Sequence, residues 1–371
     1  MKAIGIYIHI PFCLRKCNYC DFCSYTSRSN DFEKYAYGIS RRIKKFAEIY
    51  GKRNADTVYF GGGTPTLLPD SCFETIFDAI KNNFYVQDDA EITVECNPAT
   101  ATFESLSFLR AIGVNRLSVG VQSANDNELS LLGRLHSFKD FCISYELARR
   151  ANFENISVDL MYGIPDQTIE SFLYTLRRVS EMNPEHISAY GLKIEPETPF
   201  GRNPLLLNLP DEDTEYEMYR LCREYLESDG YFRYEISNFA KPGYESKHNL
   251  KYWQLKEYIG FGVAAHSFID GKRFGNSTDI DAFLRGEDII SENSLVSKNE
   301  SVKEYVMLGL RLESGISANK YKDMTGRDIF HDKPILKKLE KNGLIVCNGD
   351  RIALTDHGFF VSNAVLTELL D

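Results

Sequence analysis

Ile4-Gly5-Ile6-Tyr7-Ile8-His9-Ile10-Pro11-Phe12-Cys13-Leu14-Arg15-Lys16-Cys17-Asn18-Tyr19-Cys20 is the stretch on which the architecture turns. Its first seven residues form an isoleucine-rich run of strand length, and Pro11 closes it. Three cysteines follow at C-x3-C-x2-C spacing, and Cys23 adds another C-x2-C step. Short β-branched runs recur at Thr57–Phe60, Glu91–Glu95, Arg116–Val121, Ile156–Met161 and His186–Leu192. The intervals have helical periodicity. Phe32, Tyr35, Ile39, Ile43, Phe46 and Tyr50 fall every three or four residues after a cap at Asn30 or Asp31, and Ser71-Cys72-Phe73-Glu74 has the capping-box pattern. Strands alternating with helices imply βαβ units on a parallel sheet. Six units suit an α/β fold built as a partial (β/α)6 barrel, with the cysteine loop at the mouth where the strands end.

Beyond Pro210 the alternation stops. Asp211–Ser228 reads as an acidic, Tyr-rich helix ended by Gly230, followed by an aromatic, polar region through Phe274. Near the C-terminus, helical patterns precede Leu344-Ile345-Val346 and Arg351-Ile352-Ala353-Leu354 around an Asn348-Gly349 turn. The expected division is a partial barrel over 1–205, a helical and aromatic region over 206–300, and a C-terminal α+β portion over 301–371 that is a small winged-helix-like domain. That last segment has ten Lys/Arg and ten Asp/Glu, so it lacks the basic face DNA binding asks for.

The whole chain, at 371 residues and net charge −10, has no protein-wide positive field for nucleic acid or anionic membrane. No apolar run is long enough to span a bilayer, and Ile4–Ile10 is too short for a signal peptide, so a cytoplasmic location is expected. In that reducing compartment a tight cysteine cluster points to metal, not disulfides. Soft thiolates select iron–sulfur or zinc. Spacing alone does not choose between Cys13, Cys17, Cys20 and the equally close Cys17, Cys20, Cys23, and a zinc site using all four is a further reading. Cys72, Cys96, Cys142, Cys222 and Cys347 are expected to be core filler.

Gly61-Gly62-Gly63-Thr64-Pro65-Thr66 follows the second strand, where glycines let backbone approach a ligand closely. Glu95 ends the third strand, Gln122 the fourth, and Asp159 lies on the fifth. One polar residue near the end of each of three successive strands suggests a shared ligand. Glu95 and Asp159 suit hydroxyls or an ammonium, and Arg134 offers a fork for a carboxylate.

Preceded by Tyr-x-His-Ile-Pro-Phe, the C-x3-C-x2-C loop resembles the signature of radical S-adenosylmethionine (SAM) proteins. The resemblance implies that Cys13, Cys17 and Cys20 hold a [4Fe–4S] cluster whose fourth iron chelates SAM. An electron then splits the sulfonium to give a 5′-deoxyadenosyl radical. It implies that Gly62, Gly63 and Thr64 meet the SAM amino group and that Glu95, Gln122, Arg134 and Asp159 line the rest of the cofactor. Gly120-Val121-Gln122-Ser123 and Leu131-Leu132-Gly133-Arg134-Leu135-His136 keep the family's order. Tyr7 and Tyr19 are expected to flank the cluster and adenine, with packing the alternative.

Within that superfamily, Ile194-Glu195-Pro196-Glu197-Thr198-Pro199-Phe200-Gly201 and Tyr234-Glu235-Ile236-Ser237-Asn238-Phe239-Ala240 are similar to stretches of the oxygen-independent coproporphyrinogen III oxidase-like branch. His248-Asn249-Leu250-Lys251-Tyr252-Trp253 resembles the H-N-x-x-Y-W motif of that branch's heme chaperones. The oxidases have a fourth cysteine where this chain has Phe22, carry a long extension ahead of the loop, and lack H-N-x-x-Y-W. The chaperone resemblance implies heme as cargo, His248 as candidate axial ligand with Tyr252 and Trp253 as flat faces, acceptor hemoproteins including respiratory enzymes, and an electron donor. Peripheral membrane association and a homodimer stand as options. His266 is a second candidate ligand, and His9 and His136 lie near the expected SAM site, but all three read as structural. A thiol at Cys23 departs from the chaperone pattern and puts ligation by the first three cysteines alone in question. The alternative functions are the porphyrin-biosynthetic oxidase and a zinc-stabilised regulator.

Overall fold

The computed structural model describes residues 2–370. Six parallel strands, β1 (Ile4–Ile10), β2 (Asn54–Gly62), β3 (Tyr85–Cys96), β4 (Arg116–Gln122), β5 (Ile156–Tyr162) and β6 (His186–Gly191), lie side by side in sequence order. They alternate with α1 (Phe32–Tyr50), α2 (Asp70–Asn83), α3 (Phe103–Ile112), α4 (Asp126–Leu131), α5 (Phe138–Arg150) and α6 (Ile169–Ser180). α1 buries Tyr35, Ile39, Ile43 and Phe46, the stripe its periodicity predicts. α2 starts at Asp70 behind Pro69 and has no side-chain cap. Ser71 sits inside its first turn, so the capping box expected there is not formed; boxes do cap α3, α5 and α6.

Alternation along each strand sorts side chains between two faces. Ile4, Ile6, Ile8 and Ile10 of β1, Leu117, Val119 and Val121 of β4, and Ile156, Val158 and Leu160 of β5 are buried in the apolar core. The opposite face carries Tyr59, Glu95, Arg116, Ser118, Asp159 and Ser188, which line a cavity. A closed eight-strand barrel fills this space with branched apolar residues. Here the interior is polar, which marks it as a chamber and not a core.

Strands do not end where the sequence pattern fades. After α7 (Pro199–Arg202) and α8 (Glu212–Ser228), β7 (Phe232–Arg233) and β8 (Asn238–Ala240) extend the sheet antiparallel beyond β6. After α9 (Lys247–Trp253), β9 (Tyr258–Phe261) pairs parallel with β1, and β10 (His266–Ile269), β11 (Lys272–Asn276) and, past α10 (Ile280–Arg285), β12 (Ile290–Leu295) continue antiparallel. The result is one open, mixed, 12-stranded sheet. These added strands are two to six residues long, too short for a period-2 signal to stand out.

The C-terminal elements are α11 (Lys298–Gly309), β13 (Ile316–Ser317), α12 (Ala318–Thr325), α13 (Ile329–Asp332), α14 (Ile335–Lys341), β14 (Ile345–Asn348), β15 (Arg351–Leu354), α15 (Asp356–Phe360) and α16 (Ser362–Leu370). Three short antiparallel strands in the order β13-β15-β14 give the winged-helix-like arrangement. Gly349, at φ +58°, opens the two-residue loop between β14 and β15. Buried Arg233 ties this module to the sheet: it pairs with Glu313 at 2.7 Å and Asp356 at 3.0 Å and stacks 4.0 Å from the Phe359 ring centre. Among the described residues no helix is long and apolar enough to cross a membrane.

Candidate cofactor site at the barrel mouth

The cysteine loop is held at both ends and in the middle. Tyr25 N donates to Pro11 O at 2.7 Å and Cys13 N to Tyr25 O at 3.0 Å, closing the loop on itself. Asn18 anchors its centre: its amide donates to Leu132 O at 2.9 Å, its side chain to Leu131 O at 2.8 Å, and its carbonyl accepts from Phe200 N at 3.0 Å. Cys13, Cys17 and Cys20 thereby line one cavity, of about 380 Å³, while Cys23 lines an adjoining cleft and lies 3.7 Å from the Tyr25 hydroxyl. Burial pushes the Cys20 thiol up to about 11 and raises Cys13 too, against a 3.7 Å hydrogen bond from Thr64. Burial thus favours the thiol at Cys13 and Cys20, and metal ligation there must release protons.

Around the same cavity stand the residues expected for SAM. The turn after β2 crosses close to the loop: Gly63 N donates to Ile10 O at 2.8 Å and Thr64 N to Phe12 O at 2.7 Å. A Cβ on Gly63 would meet Phe12 O at 2.6 Å, so only glycine permits this approach. Glu95 accepts from Gly62 N at 2.9 Å and from the Tyr59 hydroxyl at 3.0 Å, yet burial still raises its carboxyl to about 7. Gln122 sits at φ +69° where the β4–β5 register shifts, which re-aims its side chain into the cavity. Arg134 donates to Gly120 O at 2.7 Å and points Nη1 at Cys17 Sγ at 3.7 Å, and its buried Nε has no partner. Asp159 accepts from Ser118 at 3.0 Å, and burial raises its carboxyl. Tyr19 lines this cavity; Tyr7 does not. The Tyr7 hydroxyl lies 3.0 Å from His9 Nδ1 in the adjoining cleft, with Tyr252 and Tyr258. In that cleft Tyr7 lies with Cys23, Gly62 and Glu95, and α9 and β9, which the sequence pattern did not place, add Tyr252 and Tyr258 to its neighbours. His136 is buried and lies 3.3 Å from Val121 O, with its pKa pushed down to about 4 by burial.

α9 carries the H-N-x-x-Y-W motif across the N-terminal ends of β1, β2 and β3. Glu91 of β3 accepts from the Lys247 and His248 amides at 3.0 Å each, and buried Lys251 pairs with Asp56 of β2 at 2.6 Å. His248 is 1% exposed. Its Nδ1 lies 2.8 Å from Thr57 Oγ1 and its Nε2 lies 2.7 Å from the Tyr252 hydroxyl. Burial pushes its pKa down to about 3. Both ring nitrogens of His248, the candidate heme ligand, are thus engaged within the plug that α9 forms under these strands. Asn249 faces the cavity and Tyr252 the adjoining cleft. That cleft, of about 520 Å³, contains His266. His266 is exposed on β10, its ring over Gly275, where a Cβ would come within 2.8 Å of Nδ1.

Residues 7–179 match the Radical SAM superfamily and residues 296–361 match the HemN C-terminal domain family. The heme chaperone HemW of Bacillus subtilis (strain 168) is 37% identical to the chain, covering 98% of each. The chain belongs to the HemW family of radical SAM proteins. Heme chaperone HemW of Escherichia coli (strain K12) is 34% identical, covering 99% of this chain and 98% of the relative. The solved coproporphyrinogen III oxidase HemN of Escherichia coli superposes at TM-score 0.87 over 99% of this chain and 90% of that one, with 24% identity, and so shares the fold.

The radical SAM domain of this HemW-family chain implies a [4Fe–4S] cluster and SAM, and the residues present suit both. The three loop thiols match a cubane with one iron left open, and the other thiol lining the cavity, Cys96, is buried at the end of β3. The unpartnered Arg134 Nε and the two carboxyls suit the charged and hydroxyl-bearing parts of SAM. Sequence reasoning missed Arg116, Ser118, Ser157, Ser188 and Asn249. The alternation Arg116-Leu117-Ser118-Val119-Gly120 was the signal for the first two.

Proposed function

We propose that the chain is a heme chaperone: it binds heme and passes it to acceptor hemoproteins, respiratory enzymes among them, from a cytoplasmic location. Its full-length likeness to heme chaperone HemW carries this reading. Cys13, Cys17 and Cys20 would hold the cluster. Gly62, Gly63 and Thr64 would offer backbone and hydroxyl to SAM, Arg134 would pair with its carboxylate, and Glu95, Gln122 and Asp159 would take its ammonium and ribose, with Tyr19 alongside. When bound, the cluster and SAM supply one-electron cleavage of a sulfonium, for which an electron donor must reach the exposed loop residues Leu14 and Phe22.

Heme would lie in the cleft beside the loop. His266 presents the exposed imidazole there, while Tyr7, Tyr252 and Tyr258 supply flat apolar faces. Titration of purified protein with heme should give a Soret shift saturating at one site per chain. Absence of a saturable shift refutes the reading. The oxidase alternative draws support from the polar chamber inside the sheet. Anaerobic turnover of coproporphyrinogen III with reductant and SAM would establish it in place of the chaperone.

A further inference from the structure

Arg116 is the first residue of β4, at the end of the cavity away from the cysteines. It is 2% exposed and is among the largest fully buried side chains of the molecule. Its Nε has no hydrogen-bond partner, and among the described residues no carboxylate lies within ion-pair distance of its guanidinium, although the Asp159 carboxyl feels its charge. An ionised group taken out of water without a partner costs several kcal/mol. Several side chains around it are already engaged, while the hydroxyl of Thr93, its register neighbour on β3, is buried without a partner. Ser157 Oγ lies 2.7 Å from His186 Nδ1, His186 Nε2 lies 2.9 Å from the Tyr234 hydroxyl, and Asp159 accepts from Ser118. Arg116 is left with an unused donor, and it lines the chamber.

The cysteines and Arg134 mark the opposite end of the cavity as the SAM side, with Asp159 between the two. Arg116 and Gly120 are four residues apart on β4, about 13 Å at ~3.3 Å per residue, and Arg134 bonds to Gly120 at the cysteine end. We propose that the far end of the chamber is a carboxylate-binding subsite whose cation is Arg116, filled by a small organic acid or by one acid arm of a tetrapyrrole reaching past SAM. A guanidinium fork matches a carboxylate with two parallel hydrogen bonds. Asn249 of the α9 plug lines the same chamber, so H-N-x-x-Y-W helps close the subsite from below. This subsite stands independently of where heme binds.

The test uses the full chain and Arg116→Met, which keeps length and removes charge. Coproporphyrin III, its tetramethyl ester and succinate are the probes, followed by porphyrin fluorescence and by quenching of the single tryptophan, Trp253. Wild type is expected to bind coproporphyrin III or succinate saturably, and Arg116→Met to bind at least about tenfold more weakly. Binding of coproporphyrin III but not its ester assigns the tetrapyrrole arm; competition by succinate assigns the small acid. Ligand-free Arg116→Met should melt at the same or higher temperature, because an unpaired buried charge has been removed. A melting point several degrees lower, equal binding by both proteins, or no binding of either acid to wild type overturns the proposal.

Discussion

The Gly62 amide donates to Glu95 Oε2 at 2.9 Å, making the turn after β2 and the end of β3 a single unit. Gly62 holds φ +113°, and a Cβ there would sit 2.4 Å from His9 Cε1. Gly62→Ala should therefore cost about 1–3 kcal/mol. Gly230→Ala is the control: its φ is +88° but nothing lies within 4 Å of an added Cβ. Urea melts of the two variants should separate them, with Gly62→Ala the less stable.

Glu95 and Glu235 are both raised from 4.5 to about 7 by burial. Each binds its proton more tightly folded than unfolded. Their contribution to stability is thus full below pH 4.5, declines as the unfolded chain ionises, and is lost as pH rises through 7. For each carboxyl the loss is on the order of 1–3 kcal/mol. Cluster-free Glu95→Gln should lose less stability between pH 5 and pH 8 than wild type, as measured by urea denaturation. Equal losses would show that Glu95 ionises normally.

His248 and His266 should separate stability from heme binding. His248→Ala empties a buried site and strands Thr57, so its melting temperature should fall, by roughly 2–4 kcal/mol of stability. Folded His248→Ala should keep its heme affinity. His266→Ala should keep its melting temperature and bind heme at least about tenfold more weakly. The opposite pattern in a heme titration would return the ligand role to His248.

Arg233→Met should loosen the C-terminal module. The carboxylates left behind, Glu313 and Asp356, are 35% and 47% exposed, so water can take them up. The cost should stay near ~2 kcal/mol and not reach the penalty of a stranded buried charge. Calorimetry should show an earlier transition for residues 298–370, and a single unchanged transition would contradict the coupling.

The six barrel strands were legible because each is an apolar run bounded by turn residues, and the cysteine loop because its spacing is dense. α9 was legible as a motif but not as a plug. That His248 faces inward depends on Glu91 and Thr57, which are more than 150 residues distant in sequence. The cleft beside Tyr7 was not legible for the same reason: Tyr252 and Tyr258 come from elements whose pairing with β1 no local pattern announces. Arg116 shows the converse, because its alternation was readable but its lack of a partner is a property of the folded interior alone.

The separation of Cys13, Cys17 and Cys20 from Cys23 is tested most directly by anaerobic iron–sulfur reconstitution of single Cys→Ser variants, read by visible absorbance and iron content. Cys13→Ser, Cys17→Ser and Cys20→Ser should each lose the cluster, and Cys23→Ser should retain it at the wild-type iron content. A full cluster in any of the first three, or its loss in Cys23→Ser, would contradict the account.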